Sequence, residues 1–147
     1  MNIRPAESQD ASAWEQLRQV LWPSDAGEHA EDIARFFAGD RHDPAEALLA
    51  FDTAGAAVGF AEVSIRSHAD GCDSDRIGYL EGWFVVEESR RRHIGAALVA
   101  EAERWARAQG CAEFASDCDI TNHVSEIAHN ALGFAEVARN ICFRKAL

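Results

Sequence analysis

Apolar side chains recur along the chain at two spacings, and the changes from one to the other mark its elements. Trp14, Leu17 and Leu21 fall at helical spacing in SQDASAWEQLRQVLW, behind Ser8 or Asp10 as a cap. A second helix is predicted over EHAEDIARFFAGD, with Ile33, Phe36 and Phe37 apolar and Gly39 as its stop. ALLAFDTAGAAVGFAEVSIR reads as two strands about a turn at Thr53–Gly55. The polar loop SHADGCDSDR then leads into an apolar strand from Ile77 to Val86. A helix follows, carrying Ile94, Leu98, Ala102 and Trp105 on one face and closed by Gly110. AEFASD is a short strand, NHVSEIAHNALGF a helix ending at Gly133, and AEVARNICFRKAL supplies one or two last strands. The order ββαβαβ after a helical pair predicts an α/β fold, with a mixed central sheet and helices on both faces. No linker or repeat interrupts residues 1–147, so one domain is expected.

Composition narrows the class. With 48% hydrophobic and 27% charged residues the chain is globular rather than disordered. No run approaches the roughly eighteen apolar residues that span a bilayer. The start, MNIRPAESQDA, lacks the apolar core of a secretory signal, and a cytoplasmic protein is expected. Cys72, Cys111, Cys118 and Cys142 show no CxxC spacing, which predicts reduced thiols and no metal site.

A net charge of −11 argues against nucleic acid, whose phosphates need a basic footprint. The charge is uneven. Residues 1–88 hold 18 of the 25 acids and 6 of the 14 Lys and Arg, leaving 7 and 8 for residues 89–147. That asymmetry suits one cationic and one anionic ligand, although excess acid also serves solubility alone.

The basic spot is VVEESRRRHIGAALV. A strand, a short loop and a helix N-terminus form an anion site, because the first helical N–H groups lack partners and the helix dipole favours negative charge. Arg90, Arg91 and Arg92 add charged donors, and Gly95 allows close approach of a ligand. A pyrophosphate fits this description. The competing reading is a solvated turn whose arginines pair with Glu87, Glu88 and Glu101.

RRRHIGA after an apolar strand resembles the R/Q-x-x-G-x-G/A signature of the GCN5-related N-acetyltransferases (GNAT). The resemblance implies that the segment Arg90, Arg91, Arg92, His93, Ile94, Gly95 and Ala96 holds the pyrophosphate of acetyl-CoA. His93 stands where the family has its first glycine, which predicts a histidine at positive φ. LEGWFVV resembles the strand that splays from its neighbour, so that Trp83, Phe84 and Val85 would meet the pantetheine. Asn122 matches a CoA-contacting asparagine, and His129 stands where the family often has a tyrosine that protonates the leaving thiolate. LRQVLWPSD, SIR, GCDSD, YLEGWFVVEE, EFASD and ALGF, in this order, resemble the aminoglycoside 6′-N-acetyltransferases. This resemblance runs along essentially the whole chain.

Several acids then become candidates for a cationic acceptor. Glu81 lies inside an apolar strand, where an unpaired carboxylate is costly; it marks a site or pairs with a structural arginine such as Arg66. Asp117 ends a strand at the edge where open sheets bind ligands, with Asp119 and Thr121 competing as helix caps. The resemblance adds Asp73, Trp22 as a wall against sugar rings, and Glu28 and His29 on the same loop. Relatives carry a tyrosine before GCDSD, where this chain has His68 or Ala69. They also carry an acid supplied across a dimer interface, where it has Ala138 with Glu136 nearby.

The mechanism expected is direct transfer without a covalent enzyme intermediate; Cys118 has no adjacent base. Glu81 or Asp117 takes the ammonium proton, an N–H near Val85 polarises the thioester, and solvent or His129 protonates the thiolate. A polyamine or protein amine as acceptor, or a non-catalytic CoA- or drug-binding module, are the alternatives. The resemblance also implies a homodimer.

Overall fold

The computed structural model describes residues 1–25 and 27–147. Among these, five strands build an open sheet in the order β1-β2-β3-β4-β5: β1 (Asn2–Pro5), β2 (Glu46–Phe51), β3 (Ala57–Arg66), β4 (Ile77–Val85) and β5 (Glu113–Ser116). All neighbours are antiparallel except β4 and β5, which run parallel. The helices are α1 (Ala11–Leu21), α2 (Glu28–Phe37), α3 (Ile94–Ala108) and α4 (His123–Ala131). The predicted mixed sheet with helices on both faces is what forms.

Strand alternation sorts the core into two layers. Leu48 and Ala50 of β2 join Val58, Ala61, Val63 and Leu80 under Ile94, Leu98, Val99 and Ala102 of α3. Ala47, Leu49 and Phe60 point the other way, against Trp14 and Leu17 of α1 and Ile33 and Phe36 of α2. Trp14 meets Phe36 edge-on at 5.1 Å, a favoured aromatic geometry.

Two parts differ from the expectation. NIRP shows no period, yet it pairs as edge strand β1, from Asn2 opposite Phe51 to Pro5 opposite Leu48. A proline is tolerated on an edge, and the Arg4 guanidinium, 4.5 Å over the Phe51 ring, holds Asp10 at 2.6 Å. The second difference is at the C-terminus, where residues 134–147 form no strand. A strand needs an edge to pair with, and this segment instead crosses the loop between β3 and β4. Asn140 Nδ2 donates to Asp70 Oδ2 at 2.7 Å, and Val137 lies so close on Gly71 that a Cβ there would collide with it. Ile141 and Phe143 are left 80% and 90% exposed.

Candidate active site

The parallel ladder of β4 and β5 ends at Leu80 opposite Ser116, while β4 runs on to Val85 against β3 alone. The sheet therefore splays after Leu80. Val86 N–H donates to Val58 C=O on β3 at 2.9 Å. By strand alternation, the main-chain groups of Val85 and Trp83 face the opposite way, into the splay, and those of Phe84 face β3. The Val85 C=O accepts from Arg90 Nε at 3.0 Å, which leaves the Val85 N–H directed at the opening.

The arginine loop closes against this strand end. A 3-10 turn at Glu87–Ser89 leads to Arg90, and Arg91 and His93 both take left-handed conformations, with φ of 63° and 60°. The positive φ anticipated for His93 is thus present. The first bond inside α3 runs from Ala97 N–H to His93 C=O, so the N–H groups of Ile94, Gly95 and Ala96 open onto the loop. Among the described residues Arg90, Arg91 and Arg92 pair with no carboxylate, and Glu101 binds Arg104 instead. The solvated-turn reading loses its ion pairs. Gly95 packs tightly: a Cβ there would sit 3.0–3.3 Å from the Trp83 indole, whose ring would have to yield slightly and whose Nε1–H donates to Gly95 C=O at 3.1 Å.

Across the splay stands His129 on α4. Its Nδ1 lies 2.7 Å from Ser125 C=O and must donate, and Nε2 lies 2.8 Å from the Ser116 hydroxyl, accepting from it in the neutral ring and donating to it in the imidazolium. The ring meets Trp83 edge-on at 5.4 Å. Asn122 caps α4, its side-chain oxygen accepting from Ser125 N–H at 3.1 Å. Asp119 takes the turn before it by binding Thr121. Neither cap role falls to Asp117.

Asp117 is exposed just past β5 and accepts from the Tyr79 hydroxyl. Burial, then the Asp117 hydrogen bond, pushes the Tyr79 phenol well above its ordinary pKa, so it remains a donor. Glu81 is the extra residue of a bulge, since Gly82 pairs with Glu62 but Leu80 with Val63. Arg66 Nε and Nη2 donate to the two Glu81 oxygens at 2.9 and 2.7 Å. The Arg66 guanidinium lies 3.5 Å over the Tyr79 ring. The structural partner considered for Glu81 is therefore real, and it ties Glu81 to Tyr79 and Asp117.

Trp22 ends α1 half-buried, 5.9 Å from Phe60, with its ring so close on Gly82 that a methyl there would collide with it. The fold thus brings Trp22 beside the Glu81 bulge. His29 does not face the cleft: it is buried and its Nε2–H holds the Trp22 carbonyl at 2.7 Å. Glu28 is exposed at the start of α2. Asp73 is exposed, its N–H bound to Glu113 at 3.0 Å, so Glu113 seats the acidic loop. Glu136 is exposed and engaged by Arg139, whose hydrogen bond lowers its pKa.

Sequence reasoning missed three groups. Tyr79 and Glu113 read as ordinary strand residues. Glu62 carried the same signal as Glu81, an acid within an apolar strand, and it is 2% exposed. It accepts from Trp14 Nε1–H at 2.8 Å and pairs with Arg18 at 3.2 Å. Arg18 in turn lies 5.4 Å from the Trp22 ring. Among the described residues no group of three or more His, Cys, Asp or Glu side chains is arranged to hold a metal ion, and no helix is long and apolar enough to cross a membrane.

Comparison with known proteins bears on this geometry. The model of the acetyltransferase (GNAT) family matches residues 13–134. An aminoglycoside N(6′)-acetyltransferase type 1 of Klebsiella aerogenes is 49% identical, over 99% of this chain and 96% of its own. One of Serratia marcescens is 42% identical over 92% of each. The structure of AAC(6′)-Iy in complex with the bisubstrate analogue CoA-S-monomethyl-acetylneamine superposes with a TM-score of 0.90 at 36% identity, covering 99% of this chain and 98% of that one. AAC(6′)-Ih of Acinetobacter baumannii gives the same values. A sheet splayed beside an arginine-flanked helix start, with these likenesses along almost its full length, makes the chain a member of the GNAT acetyltransferase family and, within it, of the aminoglycoside N(6′)-acetyltransferases.

Proposed function

We propose that this protein transfers the acetyl group of acetyl-CoA to the 6′-amino group of aminoglycoside antibiotics and so confers resistance to them. One observation carries the reading. The splay between β4 and β5 has, at one end, arginines that pair with no carboxylate among the described residues, and at the other two carboxylates, Glu81 and Asp117. The co-substrate contributes an activated acetyl thioester and a pyrophosphate. Arg90, Arg91 and Arg92 and the open N–H groups of Ile94, Gly95 and Ala96 suit the pyrophosphate. Trp83, Phe84 and Val85 line the strand on which the pantetheine would lie, and Asn122 keeps its amide N–H for the same ligand.

In this reading the acidic half of the chain attracts the polycation. Trp22 offers the sugar rings a flat wall, and Glu28 and Asp73 add negative charge around the rim; Glu136, neutralised by Arg139, would join them only on leaving that pair. Glu81 and Asp117 orient the ammonium groups, and one of them takes the 6′ proton directly or through water. The freed amine attacks the thioester carbonyl, whose developing negative charge the Val85 N–H stabilises. The Ser116 hydroxyl and His129 stand at the splay, where a thiolate would leave; the thiolate takes its proton from solvent, or through the Ser116 hydroxyl from the imidazolium form of His129, which solvent then re-forms. His29 serves indirectly, by holding the Trp22 main chain.

We further read residues 1–147 as one catalytic domain acting in the cytoplasm, where acetyl-CoA is available, and as half of a homodimer. The exposed Ile141 and Phe143 support the dimer, because a second copy would cover them.

The test is thiol release from acetyl-CoA with two aminoglycosides that differ only in a 6′-amine or a 6′-hydroxyl. Turnover with the amine alone is expected. Turnover with both would move the acetylated position elsewhere. Turnover with neither, while CoA binds, would favour another acceptor or a binding module.

A further inference from the structure

We propose that Arg66 and Tyr79 are positioning residues that clamp Glu81 and Asp117 into a single acceptor-binding unit. The inference rests on the reading above, in which those two carboxylates receive the aminoglycoside.

Backbone pairing sets neither carboxylate's direction. Glu81 is the unmatched residue of the β4 bulge, so no β3 residue stands opposite it. Asp117 follows Ser116, the last residue of β5 paired to β4. The direction of each side chain must come from what binds it. Arg66 binds both oxygens of Glu81, a forked geometry that fixes the plane of the carboxylate as well as its position. Tyr79 binds Oδ2 of Asp117, and among the described residues Oδ1 has no partner.

The two holders are themselves joined. Arg66 faces Ile77 and Ser64 faces Tyr79 across β3 and β4, so Arg66 and Tyr79 are diagonal neighbours on one face of the sheet. The guanidinium, 3.5 Å from the ring centroid, stacks on the phenol. Tyr79 is only 7% exposed, with Ile77 and Ala69 beside it, and forms a fixed platform. The chain Glu81–Arg66–Tyr79–Asp117 therefore sets the separation of the two carboxylates across the mouth of the splay. Arg66 also neutralises one negative charge, so the unit carries a net charge of one rather than two towards the cationic ligand. A lysine could keep the charge but neither the fork nor the stack.

Steady-state thiol release with a 6′-amino aminoglycoside, varying each substrate in turn, tests the clamp in Arg66→Ala, Arg66→Lys and Tyr79→Phe. A misplaced carboxylate predicts kcat/KM for the aminoglycoside about 100-fold lower in Arg66→Ala and about 10-fold lower in Tyr79→Phe, with the KM for acetyl-CoA within about twofold of wild type. Arg66→Lys should recover little of the loss. Wild-type behaviour of Arg66→Lys or Tyr79→Phe would overturn the clamp, as would a parallel rise in the acetyl-CoA KM. Tyr79→Phe preserves the buried ring, so a folding failure does not obscure the result. If the wild-type protein turned over no 6′-amine, the proposed function would fall on its own. Calorimetric binding of the same aminoglycoside would then decide the clamp: affinity ordered wild type, Tyr79→Phe, Arg66→Ala supports it, and equal affinities overturn it.

Discussion

Glu62 shows what a single buried carboxyl does under this site. Burial pushes its pKa up to about 7, and Arg18 and Trp14 only partly oppose that. A carboxyl near 4.5 in the unfolded chain and near 7 when folded binds more protons in the folded state, so stability is full below 4.5 and is lost as pH rises through 7. The loss is up to about 3 kcal/mol. Thermal melts should therefore show the wild type falling relative to Glu62→Gln from about pH 4.5 to about pH 8, with the two curves parallel below that range. Parallel curves throughout would mean that Glu62 does not titrate. The residue scale is also where the sequence was least sufficient. Glu62 and Glu81 occupy the same kind of position, an acid between apolar neighbours, and only the pairing of strands tells them apart. Glu62 faces α1 and is buried by Trp14, whereas Glu81 sits at a bulge beside the opening. Asp117 could have been a helix cap, in competition with Asp119 and Thr121, until the structure gave the cap of α4 to Asn122 and the turn before it to Asp119.

At the scale of elements, the helices and the three long strands were legible, because each buries one apolar stripe or face against a layer. The bulge was not, since it exists only in the register of β4 against β3. The short strand β1 was not legible either, because its conformation comes from pairing with β2. The last residues were misread because their apolar residues suit a strand, whereas they are held by side-chain contacts to the loop between β3 and β4 and, among the described residues, leave the outer edge of β5 unpaired. The bulge makes Gly82 a sensitive position. A methyl group at Gly82 would drive the Trp22 ring off the strand, and such overpacking costs about 1–3 kcal/mol. Gly82→Ala should raise the aminoglycoside KM about tenfold through displacement of Trp22, and leave the acetyl-CoA KM unchanged. Steady-state kinetics with each substrate varied would check this, and an unchanged aminoglycoside KM would remove Trp22 from the acceptor site.

For the whole molecule, the exposed tail is the feature that asks for a partner. Phe143 is 90% exposed and Ile141 80%, on a segment whose backbone joins no strand. Sedimentation should find the wild type as a dimer and Phe143→Asp as a monomer, since a charge in an apolar interface is costly. A wild-type monomer at micromolar concentration would contradict the assembly proposed here.

The seating of Trp22 by His29 and of the acidic loop by Glu113 has a consequence for descent as well. The wall and rim assigned to the acceptor are carried largely by residues 22–29 and 67–75, whereas the donors assigned to the pyrophosphate lie between Arg90 and Ala96. Changes in drug preference under antibiotic selection can thus accumulate in the first set without passing through variants that have lost the acetyl donor. Lineages of this protein should diversify fastest in those two early segments.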